Sequence, residues 1–310
     1  MELTKNDAKI LEVLVQSGEM PQSKLALVLK MQKSNLSLYL KRLQSFGLVN
    51  LVKHGRKNSV IVSQLFNSEY SKLPFNLQKI VPLAITGLNP HIISYFCNCP
   101  EFRIKELPLP SATAKRILSR LRKAGIIFMK KKGIYCIREE MKELGVFCRS
   151  LLYIMYFERA LKELGQTKCK VVCQGPASWT LIFVTSRMCK SQTYFPTAYS
   201  VFSKYGVNLI LTNKNYYTNM KPTIEDVVIH TIELSLNNSQ KPPLDPRMIM
   251  YVSALILKNK ISYQKLIKVK CRSGITDAFL RELFNFINSK GEKTFQGFPS
   301  WKEVEGVAYG

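Results

Sequence analysis

Acidic residues are scarce in this chain. Its 310 residues include 21 Asp and Glu against 46 Lys and Arg, which gives a formal net charge of +25 and a pI of about 9.8. An excess of this size disfavours a compact chain through self-repulsion unless a polyanion is near. It therefore favours a nucleic acid or another anionic surface as the partner. A generally basic proteome, or solubility alone, is the alternative explanation.

Long apolar runs are also absent. The longest apolar stretch, residues 150–157, is far shorter than the roughly 20 residues that a membrane-spanning helix needs. Residues 1–5 lack the charged start and the apolar core of a signal peptide. We therefore expect a soluble, cytoplasmic protein with no membrane partner.

Patterns that bind metals or perform catalysis are missing as well. The eight cysteines are irregularly spaced without a C-x-x-C pair, and only three histidines accompany them, so we expect reduced, buried thiols and no zinc site. No phosphate-binding loop, dinucleotide fingerprint, nucleophile elbow or H-E-x-x-H motif occurs. The Gly-Pro-Ala-Ser turn at 175–178 could suggest a nucleotidyltransferase, but the strand patterns after it carry no acid to hold magnesium. We expect no catalytic residue, no metal, no cofactor and no enzyme activity.

The clearest local pattern lies in residues 34–62. The spacing of Leu36, Leu40 and Leu43 predicts the buried face of a helix, and Gly47 suits the positive φ of a helix C-terminus. Polar residues form the opposite face: Ser34, Ser37, Lys41 and Ser45. Strands are predicted at 49–51 and 60–62 around a polar turn at 54–58, and helices upstream at 4–16, capped by Thr4, and at 21–29, with Pro21 in the first turn.

A second copy of this pattern follows. Gly125 and Ile126 correspond to Gly47 and Leu48, and the aligned leucines and arginines of the preceding helix match at the same offset, which indicates a duplicated unit. The predicted elements are helices at 91–97, 103–107 and 111–124, with Ser111 as the cap of the last, then a basic turn at 130–132 and a strand at 134–137. A long helix at 139–164 is predicted next, either as a dimer contact or packed on the C-terminal domain.

Residues 1–65 resemble the winged helix-turn-helix domains of MarR- and ArsR-type transcription regulators. The resemblance is carried by residues 22–26, by Leu40-Lys41-Arg42-Leu43, by Gly47-Leu48-Val49 and by the basic hairpin. The predicted fold is mainly α with small β wings, as tandem winged helix-turn-helix units followed by an α+β C-terminal domain. Its boundaries are 1–66 for the first winged helix, 67–89 for a linker, 90–140 for the second winged helix, 141–165 for a connecting helix and 166–310 for the C-terminal domain.

The C-terminal domain differs in kind from the units before it. Strands are predicted at 168–173, 179–185 and 207–212, and helices at 222–236, with Thr223 as cap, 246–257, 262–268 and 276–289. Asp226 and His230, one helical turn apart, are interpreted as a surface pair. Residues 221–230 resemble the proline- and acid-started helix of AbiEi-type antitoxins, although this helix lacks the arginine that the family carries further along.

These patterns predict a protein that binds double-stranded DNA. Asn35 could pair with an adenine edge, Arg42 with guanine or phosphate, and the hairpins with phosphate or the minor groove. The candidate DNA-binding residues are Ser34, Asn35, Ser37, Lys41, Arg42, His54, Arg56, Lys57 and Asn58 in the first unit, and Lys115, Arg116, Arg120, Arg122, Lys123, Lys130, Lys131 and Lys132 in the second.

The expected function is that of a transcription regulator, with a homodimer possible. The resemblance to AbiEi-type proteins implies an alternative, an antitoxin whose C-terminal domain neutralises a toxin-like protein partner while its winged helices regulate the pair's own expression. A third alternative is a winged-helix scaffold protein of a transcription or replication complex.

Overall fold

The computed structural model is mainly helical, with three small antiparallel sheets in the part of the chain that it describes. The described residues are 2–55, 57–96, 101–104, 107, 109–165, 170–174, 181–186, 188–209, 214–238, 245–270, 277–294 and 297–310. They form two compact units, and the division falls after residue 159. No helix among the described residues is both long and apolar enough to cross a membrane.

The N-terminal unit begins with a repeat over residues 5–62. Its elements are α1 (Lys5–Ser17), β1 (Met20–Pro21), α2 (Gln22–Val28), α3 (Lys33–Ser45), β2 (Val49–His54) and β3 (Lys57–Val62). The predicted helices and hairpin are confirmed, with Thr4 capping α1 through a capping box with Asp7. Pro21 occupies the N-cap position of α2, and the short strand β1, which the sequence did not predict, adds to the hairpin in the order β1-β3-β2.

Helix α3 is held by the three predicted leucines, all buried: Leu36, Leu40 and Leu43. The helix ends where Gly47 takes a φ of +69°, a value that favours glycine because a Cβ is strained there. The Leu48 N–H then donates to the Leu43 carbonyl over 3.0 Å. This bond and the positive φ of Gly47 turn the chain directly from the helix into the first strand of the hairpin.

The sequence predicts residues 67–89 to be a linker with some packing of its own, and they do pack within the structure. They belong largely to short helices: α4 (Gln64–Ser71), α5 (Phe75–Gln78) and α6 (Val81–Ala84). Tyr70, Leu77 and Val81 are buried. The prolines and the glycine in this stretch therefore separate short helical turns that pack within the N-terminal unit.

A second repeat covers residues 89–137. Its elements are α7 (Asn89–Tyr95), β4 (Glu101–Arg103), α8 (Ser111–Lys123), β5 (Ile127–Lys131) and β6 (Ile134–Ile137), with the sheet order β4-β6-β5. Gly125 has a φ of +72°, and the Ile126 N–H donates to the Leu121 carbonyl over 3.0 Å. The helix end and the strand order of the first repeat are thus reproduced.

The second repeat is shorter between its first strand and its long helix. Seven residues (104–110) connect β4 to α8, whereas eleven (22–32) connect β1 to α3 and include α2. The prediction of a helix at 103–107 is wrong at Arg103, which pairs with Ile134 in the sheet. Ser111 is the first residue of α8 and not its cap. Cys97 lies outside the described residues.

The sequence predicts one long helix at 139–164. In the structure a 3-10 turn at Glu139–Met141 leads into the long helix α9 (Lys142–Leu164). Its apolar face is buried within the chain, where Phe147 packs against Phe66 and Tyr70 with ring centroids 5.9 and 6.3 Å apart. The sequence predicted a dimer contact or packing on the C-terminal domain for this helix, and its packing on α4 was not predicted.

The C-terminal unit combines one sheet with several helices. Its elements are β7 (Lys170–Gln174), β8 (Leu181–Thr185), β9 (Phe195–Pro196), a 3-10 helix (Ala198–Tyr205), β10 (Asn215–Thr218), α10 (Ile224–Asn238), α11 (Pro246–Lys258), α12 (Tyr263–Lys270), α13 (Asp277–Asn288) and α14 (Trp301–Tyr309). The sheet order is β7-β8-β10-β9, all antiparallel.

Three expectations for this unit need correction. Residues 207–209 are not a strand, because Gly206 ends the 3-10 helix at a φ of 79° and Val207 is buried in the helical core. Asp226 and His230 are buried, not a surface pair: Asp226 accepts from the Thr223 N–H over 2.9 Å, and His230 Nδ1 bonds Thr197 Oγ1 over 2.7 Å. The turn predicted at 175–178 lies outside the described residues.

Candidate nucleic-acid interface

The outer face of α3 is mainly polar, with one exposed leucine, and is partly basic and free of acidic residues. Ser34, Asn35 and Lys41 are exposed, and Ser37 is half-buried. They lie opposite the three buried leucines, as the helical spacing predicted. The face therefore offers hydroxyl, amide and ammonium groups to a ligand, without a carboxylate that would repel phosphate.

Arg42, which the sequence predicts to contact guanine or phosphate, is bound to another helix of its own repeat. Its guanidinium forms a two-pronged contact with the buried Asp7 carboxylate on α1, with Nε 3.3 Å from Oδ1 and Nη2 against Oδ2. The same Nη2 donates to Thr4 Oγ1 over 3.0 Å, and the guanidinium carbon lies 5.2 Å from the Tyr39 ring centroid. Because these contacts hold Arg42 to α1, we omit it from the proposed ligand-contacting face.

The first hairpin carries a mixture of basic and polar groups. The His54 ring contacts the Glu19 carboxylate, which stands just before β1. Asn58 is exposed on β3. Lys57 pairs with His54 through the sheet, but its side chain, like all of Arg56, lies outside the described residues.

Helix α8 is more basic than α3. Lys115, Arg116, Arg122 and Lys123 are exposed, and the helix contains no Asp or Glu. The opposite face is fully apolar and buried: Ala114, Ile117, Leu118 and Leu121. Four exposed cations along one side of a 13-residue helix favour contact with a polyanion backbone.

Arg120 aligns with Arg42 and likewise bonds a residue of the first helix of its own repeat, although Arg120 is exposed. Its guanidinium donates to the Oδ1 atom of Asn89, a buried residue at the start of α7. The alignment on Gly47 and Gly125 already paired the two arginines. Their partners were missed because Asp7 and Asn89 lie more than 30 residues away in sequence.

The second hairpin carries three consecutive lysines. Lys130 and Lys131 lie in β5 and Lys132 in the turn, and all three are exposed. Lys130 donates to the Glu101 carboxylate on β4, and this hydrogen bond raises the pKa of Lys130. In both repeats, therefore, an acid at the first strand holds a basic residue of the hairpin.

The N-termini of α3 and α8, like those of α2, α5, α6 and α7, have no side-chain cap, whereas several other described helices have one. Thr4, Thr223 and Asp245 cap α1, α10 and α11 through their side chains. Gln32 and Pro110, at the N-caps of α3 and α8, provide no such bond. Main-chain N–H groups at such helix starts are suited to phosphate oxygens.

Other kinds of site find little support in the described part of the chain. No group of three or more His, Cys, Asp or Glu side chains there is placed to hold a metal ion. Cys136, Cys148 and Cys189 form no disulfide, and burial raises the pKa of Cys136. A pocket lined by α1, α4 and α6 has a cavity volume of about 10 Å³, which is room for about one water molecule and far below the roughly 300 Å³ of small ligand sites.

Comparison with known proteins gives no matching family model and no similar curated protein.

Proposed function

We propose that this chain is a DNA-binding transcription regulator whose two repeats act as tandem winged helices on one duplex. The observation that carries the proposal is the duplication itself. Each repeat sets an acid-free helix face beside a basic hairpin, and each ends that helix through the same glycine geometry. A duplicated positive surface suits a ligand that is itself a regularly charged double strand.

The two repeats divide the work unequally. The first offers Ser34, Asn35 and Lys41, whose hydroxyl, amide and ammonium groups can bond base edges in the major groove. The second offers mainly cations on α8 and β5, which suit phosphates of any sequence. The first repeat therefore supplies most of the specificity, and the second most of the sequence-independent affinity.

The decisive measurement is the salt dependence of binding to a random-sequence duplex, followed by fluorescence anisotropy. The logarithm of the association constant should fall linearly with the logarithm of salt concentration. The slope of that line should steepen by about 0.9 for each phosphate contact. The double variant Lys115→Gln/Arg116→Gln should lower that slope by up to about 1.8, because two contacts are lost.

A matched control removes equal charge elsewhere. Lys268 and Lys302 are exposed on helices of the C-terminal unit, so Lys268→Gln/Lys302→Gln should leave the slope unchanged. If both double variants lowered the slope equally, the second repeat would contribute to binding only through its share of the net charge of the chain. Absence of duplex binding at low salt would refute the proposed function and favour a protein-binding scaffold.

A further inference from the structure

We propose that Leu38 is a specificity residue of the first repeat, and that it contacts the C5-methyl group of a thymine in the major groove. The inference rests on the proposed function and goes further by naming the base that one side chain recognises. Leu38 is apolar, and neither packing in the core nor the geometry of the repeat explains an apolar side chain at this position.

Leu38 is 67% exposed. It lies on the outer face of α3, one helical turn after Ser34 and one before Lys41, so it occupies the middle of the polar surface. The contact of α3 with the core is already made by Leu36, Leu40 and Leu43, which are at most 1% exposed. Leu38 therefore contributes little to the fold and leaves an apolar side chain in water.

Thymine is the base that an exposed leucine can contact favourably in the major groove. It presents a methyl group in the major groove beside its O4 acceptor, whereas adenine, guanine and cytosine present hydrogen-bond donors and acceptors without a methyl group. A leucine can satisfy none of those polar groups, so placing it against them costs free energy. Since Arg42 is held by Asp7, the centre of this face has no guanidinium that would select guanine.

The charge around Leu38 identifies the occupant. Two other exposed apolar residues, Leu27 at 78% and Val28 at 52%, lie on α2, and a protein partner could use an apolar surface there. Neither helix carries an acid, but α3 exposes two lysines and the polar groups of Ser34 and Asn35 around Leu38, whereas α2 carries Lys24 alone. The surface of α3 is therefore the more complementary to a polyanion. We therefore assign Leu38 to DNA and keep Leu27 as the matched control.

The test uses a duplex selected from a random pool by the full-length protein. Each thymine is replaced singly by deoxyuridine, which removes only the methyl group. For the wild type, one position should lose affinity about fourfold, the value expected for one buried methyl group. In Leu38→Ala that position should show no further loss, whereas Leu27→Ala should keep the fourfold effect.

The outcomes separate this inference from the function on which it rests. Duplex binding that is insensitive to deoxyuridine at every position, or a sensitivity that persists in Leu38→Ala, would overturn the assignment and leave the proposed function standing. Loss of the effect in Leu27→Ala would place the methyl contact on α2 instead. A protein that binds no duplex would refute both proposals. Thermal unfolding of Leu38→Ala should match the wild type, because the side chain is exposed.

Discussion

The assignment of Arg42 to the fold, and not to DNA, can be tested by removing its side chain. Arg42→Ala leaves the Asp7 carboxylate buried, with the capping-box bonds from Thr4 as its remaining contacts. Breaking a buried ion pair costs about 3–5 kcal/mol. The Arg42 side chain is 34% exposed, so water replaces part of the lost interaction, and we expect about 2–3 kcal/mol.

The loss should appear in urea unfolding followed by circular dichroism, and locally as faster amide exchange over α1. Asp7→Ala/Arg42→Ala should be more stable than Arg42→Ala alone, because no buried carboxylate remains unpaired. Lys41→Ala is the matched control. It changes the neighbouring exposed residue, so it should weaken duplex binding while leaving unfolding within about 0.5 kcal/mol of the wild type.

One pattern of results would refute this reasoning. If Arg42→Ala left α1 exchange and unfolding unchanged but lowered duplex affinity more than Lys41→Ala, the guanidinium would act on DNA as the sequence first suggested. The contact with Asp7 would then be a resting position that DNA displaces.

Further predictions concern the two helix ends, the second arginine and a cap. Gly47→Ala should destabilise more than Gly125→Ala in thermal unfolding: both have positive φ, but a Cβ at Gly47 would lie 2.2 Å from the Glu158 Cγ while nothing lies within 4 Å of one at Gly125. Arg120→Ala should cost about 1 kcal/mol in urea unfolding, less than Arg42→Ala, because Arg120 is exposed and the change removes one hydrogen bond to Asn89 Oδ1, whose amide group still donates to the Leu83 carbonyl. Thr223→Ala should cost about 1 kcal/mol and speed amide exchange in the first turn of α10.

Much of this fold could be predicted from local sequence patterns. The leucine spacing of α3, the glycine after it and the Thr4 cap are interactions between residues a few positions apart, so the sequence predicted them directly. Strands of two or three residues, such as β1 and β4, are too short to show an alternating pattern. The apolar run at 207–212 resembles a strand, but Val207 is buried among helices because tertiary packing overrides local preference.

The candidate site shows the same division. Exposure of Lys41 and of the α8 cations follows from helical periodicity alone. The capture of Arg42 by Asp7 joins residues 35 positions apart, and no local pattern reports it. From sequence, a charged residue on the outer face of a helix is therefore predicted to contact a ligand, even when a residue of another helix already binds it.

The partners of the two arginines differ by one charge. Asp7 is a carboxylate and cancels the charge of Arg42, whereas Asn89 is a neutral amide and leaves that of Arg120 in place. The same geometry therefore gives the two helices different electric fields, which extend about 8 Å at physiological ionic strength. A single exchange between acid and amide at either of these buried positions therefore changes the electric field at the outer face of a helix without altering the side chains exposed on that face.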